Sequence, residues 1–295
     1  MWFWVKTALA TLAGIAAIAG YHTIAPGQSR EECLTPKWSS LRLYQSLMYR
    51  GKPDLSSLGF APAHIVDRNI WTDEKAREEV SLPKLRTTVA RFAQQGGLVV
   101  LDIEHFALRG SDREVQRSVD QLVSAADAAR QVAGPALVGY YGMVPLSEYW
   151  RPINGLPQGG FREWREDNRR ISPIAASVDV NLPSLYTHYN DRDGWVRQAK
   201  ALVCEARLMS DKPVIAFIWP EFHPGSTPAG GDVPADYWRL QLETLAEIAD
   251  GVVIWGGYDM ANERARVWDD KAPWWRETLR FMERHRENRS LRPVG

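Results

Sequence analysis

The chain has 295 residues, with Lys+Arg and Asp+Glu both at 36, so its formal net charge is zero. That balance excludes attraction to nucleic acid or to an anionic membrane surface through an overall field. Hydrophobic residues make up 45% of the chain, enough for one large core or two modest ones.

Lys6 is the only Lys or Arg before Arg30, and Thr7 to Gly20 is rich in Ala, Leu and Ile. Ala17-Ile18-Ala19 before Gly20 has the small-x-small form of a signal-peptidase site. Residues 1–20 therefore read as an export signal, implying a secreted or periplasmic protein. An uncleaved N-terminal anchor reaching Ile24 is the alternative, and the only expected tie to a membrane. Residues 21–40 form a polar, irregular lead-in, and 41–290 read as a single domain. Cys33 and Cys204 are the two cysteines. Their even count permits a disulfide, a free buried Cys204 on a helix fits equally well, and their separation matches no metal motif.

Seven apolar runs predict strands: 47–49, 64–66, 98–106, 136–142, 178–186, 214–219 and 251–257. Helical periodicity fills the gaps between them. Ser81 caps Leu82, Leu85, Val89 and Phe92, which end at Gly96-Gly97. Ser111-Asp112-Arg113-Glu114 forms a capping box ahead of Val115, Val119, Leu122 and Ala126. Trp195, Ala199, Leu202, Val203 and Ala206 make a third stripe, and Tyr237, Leu240, Leu245 and Ile248 a fourth. A last helix covers about 273–287. This alternation predicts an α/β fold, a distorted (β/α) TIM-type barrel of seven strands. No Gly-x-Gly-x-x-Gly follows a strand, so no dinucleotide is expected, and His105, His188 and His223 are too few for a metal centre. No cofactor is expected.

Barrels of this kind carry their sites at the C-terminal ends of the strands. Those ends hold Asp102 and Glu104, Tyr140 and Tyr141, Tyr186, Trp219 and Glu221, and Trp255. Asp102 and Glu104, two apart on a strand, point the same way. Their bland reading is a strand-end ion pair; that of the aromatics is rim packing or core filling. Tyr140 and Tyr141 face oppositely, so only one of them can line a pocket. Acids with aromatic platforms suit a carbohydrate, whose faces stack on rings and whose glycosidic bonds yield to acids.

Four strand-end motifs together resemble the animal and venom hyaluronidases. They are Asp102-Ile103-Glu104, Gly139-Tyr140-Tyr141-Gly142-Met143-Val144-Pro145, Leu182-Pro183-Ser184-Leu185-Tyr186 and Gly251-Val252-Val253-Ile254-Trp255-Gly256, in the family's order. The resemblance implies a seven-stranded distorted barrel and cleavage of an N-acetylhexosamine polymer, with the substrate's own acetamido oxygen attacking the anomeric carbon. It implies Glu104 as proton donor and Asp102 as the group that positions the acetamido. Tyr141, Tyr186 and Trp255 would hold the reacting sugar, with Tyr140, Trp219 and Glu221 as further substrate-binding candidates. Residues i and i+2 on a strand lie about 6.6 Å apart, beyond the roughly 5 Å of a two-carboxylate retaining pair. That separation does not tell substrate assistance from inversion. Phe106-Ala107-Leu108 stands where the family has Trp-Arg-Pro, Arg109 comes later, and Glu221 is an additional acid. The expectation is an exported glycoside hydrolase acting on a polysaccharide or oligosaccharide. The alternatives are a two-carboxylate hydrolase using Glu221 and a non-catalytic carbohydrate-binding protein. Oligomeric state is not legible.

Overall fold

The computed structural model describes residues 32–153, 159–227, 230–260 and 262–290. The proposed export segment, residues 1–20, lies outside them. Among the described residues no helix is long and apolar enough to cross a membrane.

The strands are β1 (Arg42–Leu47), β2 (Phe60–Val66), β3 (Leu98–Leu101), β4 (Leu137–Tyr140), β5 (Thr187–Tyr189), β6 (Ile215–Ile218), β7 (Phe222–Thr227), β8 (Gly251–Gly256), β9 (Tyr258–Asp259) and β10 (Arg264–Ala265). The helices are α1 (Leu82–Ala90), α2 (Asp112–Arg130), α3 (Trp150–Ile153), α4 (Gly159–Arg170), α5 (Ser172–Ser177), α6 (Arg192–Met209), α7 (Ala235–Ile248) and α8 (Pro273–Ser290). Six strands form one parallel sheet in the order β4-β3-β2-β1-β8-β6.

The segment 179–185 closes that sheet between its two edges. Tyr141 bridges Leu182 on one side, while Asn181 bridges Val214 and Ser184 bridges Phe217 on the other. Asp179 N–H donates to Val138 O and Gly142 N–H to Leu182 O; Ile215 N–H donates to Asn181 O and Phe217 N–H to Pro183 O. This is a seventh stave, present as isolated bridges where the sequence predicts a regular strand. Pro183 sits in its middle and has no N–H to give a ladder. Gly139 lets it come close, since a Cβ there would lie 2.5 Å from Val180 O.

The predicted first strand at 47–49 is displaced: β1 runs from Arg42 to Leu47, and its polar Arg42, Gln45 and Ser46 hid it from a search for apolar runs. The third strand is shorter than expected and ends at Leu101, with Glu104 and His105 already in a turn. β5 and β7 pair with each other in a separate two-stranded parallel sheet, and β9 with β10 in an antiparallel one.

Side chains alternate between two environments. The barrel interior holds Tyr44, Ala63, Leu98, Val100, Val180, Leu182, Phe217 and Val253. Outside, Val99, Leu101 and Val138 pack against Val89 of α1 and Val119 and Leu122 of α2. Ala216, Val252 and Ile254 pack against Trp195 and Leu202 of α6 and Tyr237 and Leu242 of α7. The α2 capping box forms as read: Ser111 accepts from Glu114 N–H while Glu114 accepts from Ser111 N–H. Cys33 and Cys204 are joined in a disulfide with Cα atoms 4.9 Å apart, which resolves the open alternative.

Candidate active site

The interior alternation of β3 runs on past its last strand residue. Leu98 and Val100 face into the barrel, whereas Val99, Leu101 and Ile103 face out. That parity carries Asp102 and Glu104 to the inner side at the C-terminal mouth. Asp102 N–H still donates to Val66 O at 3.0 Å, so Asp102 is held by the ladder, while Glu104 stands exposed beyond it. Asp102 Oδ1 is buried and meets no hydrogen-bond partner. Burial, then the charge of Glu104, then that of Asp67, pushes the Asp102 carboxyl up to about 7. A carboxylate stripped of water and faced by like charges holds its proton more tightly.

The neighbouring stave ends bring a cluster of aromatic rings to the same mouth. Tyr141, after β4, lies 5.7 Å from the Tyr186 ring, and its hydroxyl is 3.0 Å from Ser184 Oγ. Tyr186 lies 5.5 Å from Trp219 and 5.9 Å from Trp255, and the two indoles meet edge to face at 4.7 Å. Trp255 is half-buried and Trp219 buried beneath, so Trp255 offers the open face and Trp219 supports it. The charge of Glu104 acts on Asp102, Tyr141, Tyr186 and His223. Burial raises both tyrosine hydroxyls, so they stay protonated hydrogen-bond donors at neutral pH.

Two candidates stand elsewhere. Tyr140 is 1% exposed on the outer side of the barrel and donates its hydroxyl to Leu122 O of α2 at 2.6 Å. Strand parity assigns it to the core, which corrects its place among substrate-binding residues. Glu221 is 3% exposed and sits in an ion pair with Arg266 at 2.9 Å. Burial raises its carboxyl and Arg266 counteracts this. Enclosed and paired, it is not an open carboxylate for substrate. Arg109, beyond the position where the family carries Arg, is also engaged, with Asp167 at 3.2 Å and Glu148 at 3.7 Å.

Sequence reasoning missed three residues at the mouth. Ser184 stood inside a quoted motif but was assigned nothing. His188 and His223, weighed only as metal ligands, lie on β5 and β7 with their rings 4.6 Å apart. Pro224 and Gly225 directly after His223 concealed that strand, and β5 is only three residues long. His105 instead faces Trp71 at 5.3 Å and Arg77 at 3.5 Å, away from the carboxylates. Among the described residues no group of His, Cys, Asp and Glu has the arrangement of a metal site. A separate cavity of about 540 Å³ opens at the opposite, N-terminal end of the barrel, among Arg42, Tyr44, Gly59, Phe281 and Arg286.

No family model and no curated protein sequence matches the chain. Among solved structures, bee venom hyaluronidase superposes with a TM-score of 0.54 at 16% identity, covering 84% of this chain and 98% of that one. A structure of bee venom hyaluronidase in complex with a hyaluronic acid tetramer gives 0.39 at 19% identity, covering 76% and 66%. An endo-β-1,4-mannanase of Cellulomonas fimi gives 0.44 at 15% identity, covering 86% and 74%. The first of these likenesses supports the TIM-type barrel fold.

Proposed function

We propose that the protein is an exported glycoside hydrolase that cleaves an N-acetylhexosamine-containing polysaccharide by substrate-assisted acid catalysis. The observation that carries this reading is the Asp102–Glu104 pair at the barrel mouth, faced by Tyr141, Tyr186 and Trp255. The glycosidase fold of the bee venom enzyme supports it in general terms.

In this reading the acetamido oxygen of the bound sugar attacks its own anomeric carbon. The bond to the leaving oxygen breaks as Glu104, in its acid form, gives that oxygen a proton. Asp102 accepts the acetamido N–H and so aims the oxygen and makes it more nucleophilic. Water then opens the cyclic intermediate and gives a proton back to Glu104. Tyr141 and Tyr186 donate hydrogen bonds to the reacting sugar, and Trp255 packs on the acetamido methyl. Burial and the charge of Glu104 raise the Asp102 carboxyl to about 7, and its carboxylate form is the stronger acceptor for the acetamido N–H. The Cys33–Cys204 bond supports an oxidising compartment, in keeping with export of the chain.

Digestion of a glycan panel read by mass spectrometry tests the proposal, with Glu104→Gln as control. The expected result is oligosaccharide release by the wild type and a loss of about 10²–10⁴-fold in the variant, whose fold and sugar binding persist. Full turnover by Glu104→Gln would sink the assignment. Oligosaccharide binding by the wild type with no turnover would favour the non-catalytic alternative.

A further inference from the structure

Trp150, the first residue of α3, is 45% exposed. A single exposed ring is ordinary on a protein surface. This one is held from two sides. Its ring lies 4.8 Å from that of Tyr149 and 4.9 Å from that of Tyr189, and those two rings lie 4.7 Å apart. We propose that Trp150 and Tyr189 form a distal sugar-stacking subsite, which holds the glycan chain several units away from the bond at the carboxylates. The inference rests on the carbohydrate reading of the barrel mouth and deepens it, from a site for one reacting sugar to a groove for a long chain.

The platform is built before any ligand arrives. Tyr149 is buried and donates its hydroxyl to Asp191 Oδ2 at 3.3 Å. Asp191 is itself fixed: its carboxylate accepts from Gly194 N–H in the first turn of α6, and its carbonyl accepts the Tyr237 hydroxyl at 3.0 Å. On the other side Arg151, next to Trp150, reaches Glu148 at 3.8 Å and Asp167 of α4 at 3.6 Å. Trp150 thus keeps an open side while its backbone neighbours are pinned. A rigid ring loses little freedom when a ligand stacks on it, and that is how exposed indoles and phenols gain affinity.

Two features join the platform to the mouth. Both residues stand on the C-terminal side of the barrel, Trp150 beyond the loop that leaves β4 and Tyr189 at the end of β5. Rings also run without a break between the two places. From Trp255 and Trp219 the run passes through Tyr186, His223, His188 and Tyr189 to Trp150, and no step exceeds 6.4 Å. A regular strand would send His188 and Tyr189 to opposite faces. The register of β5 slips between Thr187 and Tyr189, and the two rings come within 6.3 Å. A pyranose offers apolar C–H faces that suit such rings. The occupant this continuity favours is the remainder of the glycan chain already seated at the mouth.

Calorimetry on the Glu104→Gln protein tests this, with disaccharides and octasaccharides of N-acetylglucosamine and of hyaluronan as probes. In one series the octasaccharide should bind at least about tenfold tighter than the disaccharide. Adding Trp150→Ala should remove about tenfold from the octasaccharide and nothing from the disaccharide, with the urea midpoint unchanged. Trp150→Phe, which keeps a ring, should restore part of the loss. Octasaccharide affinity unmoved by Trp150→Ala would overturn the inference, as would equal losses at both lengths or failure of both series to bind. Self-association that Trp150→Ala abolishes, with octasaccharide affinity intact, would assign the face to a second copy of the chain and overturn it too. Length-dependent binding that needs Trp150, in a protein whose wild type turns over no glycan, upholds the inference and overturns the hydrolytic reading alone. Turnover by the wild type with octasaccharide binding indifferent to Trp150→Ala does the reverse.

Discussion

Two adjacent tyrosines show how much a single residue's parity decides. Tyr140 is sealed against α2 by its bond to Leu122 O, while Tyr141 opens to the carboxylates through a hydroxyl shared with Ser184. Tyr140→Phe should cost about 1 kcal/mol of stability, the usual worth of one hydrogen bond, and leave turnover unchanged. Tyr141→Phe should do the opposite, lowering kcat/KM with little change in the urea midpoint. Parallel denaturation and kinetics on the two variants check the assignment. Asp102 gives a pH-dependent case. Its carboxyl is raised from 3.8 to about 7 in the folded protein, so between those values the folded state holds a proton that the unfolded chain releases. The stability this gives is fully present below about 4 and is lost as pH rises through about 7. Asp102→Asn should therefore raise Tm relative to wild type at pH 8, with the advantage shrinking as pH falls and gone below about 4. A gain that grew toward acid pH would contradict the burial argument. The parity of Asp102, Glu104 and Tyr141 was legible in the sequence because strand alternation is local. The outward turn of Tyr140 follows from the same alternation, whereas the pairing of Glu221 with Arg266 depends on distant chain.

At the scale of elements, legibility followed the strength of local signals. The capping box of α2 and the stripes of α6 and α7 read true because 3.6-residue periodicity and a cap depend only on neighbours. β1 was shifted because polar side chains are tolerated along it, and the 179–185 stave is irregular because Pro183 breaks its ladder. Asp250 was beyond reach for a different reason: it precedes β8 as an unremarkable acid, yet it ties three elements together. Its fully buried carboxylate accepts from Val214 N–H at 2.8 Å, from Trp38 N–H at 2.8 Å and from Lys37 N–H. Arg207 of α6, itself only 6% exposed, pairs with it at 3.2 Å. Asp250→Ala would leave the guanidinium buried without its one carboxylate partner, and Arg207 would keep the Cys33 and Ile248 carbonyls. The expected cost is about 3–5 kcal/mol, read as a lower urea midpoint. A loss under 1 kcal/mol would mean that water enters to replace the carboxylate.

The whole molecule is a closed ring of staves whose lead-in is stapled to its outer wall. Cys33 lies in a short helical turn, Cys204 in α6, and the bond between them spans 171 residues of sequence. The staves β1 to β4 and the 179–185 segment therefore fall inside the covalent loop, while β6 and β8 lie outside it. The sequence left this pairing open because two cysteines so far apart carry no local sign of their distance; only the closing of the ring brings α6 beside the lead-in. The bond acts with the Asp250 cluster, since Arg207, one turn further along α6, donates to Cys33 O at 2.9 Å and reaches Asp250 as well. Closing so long a loop lowers the entropy of the unfolded chain by an amount worth up to about 5 kcal/mol in the chain-entropy view. Reduction, or Cys33→Ser with Cys204→Ser, should thus lower the urea midpoint substantially while the slope of the transition rises, because the unfolded chain is freed to expand. Turnover under native conditions should persist, as both cysteines sit on the outer wall, away from the mouth that holds Asp102 and Glu104. Equal midpoints for oxidised and reduced protein would show that the Asp250 cluster holds the lead-in without help from the disulfide.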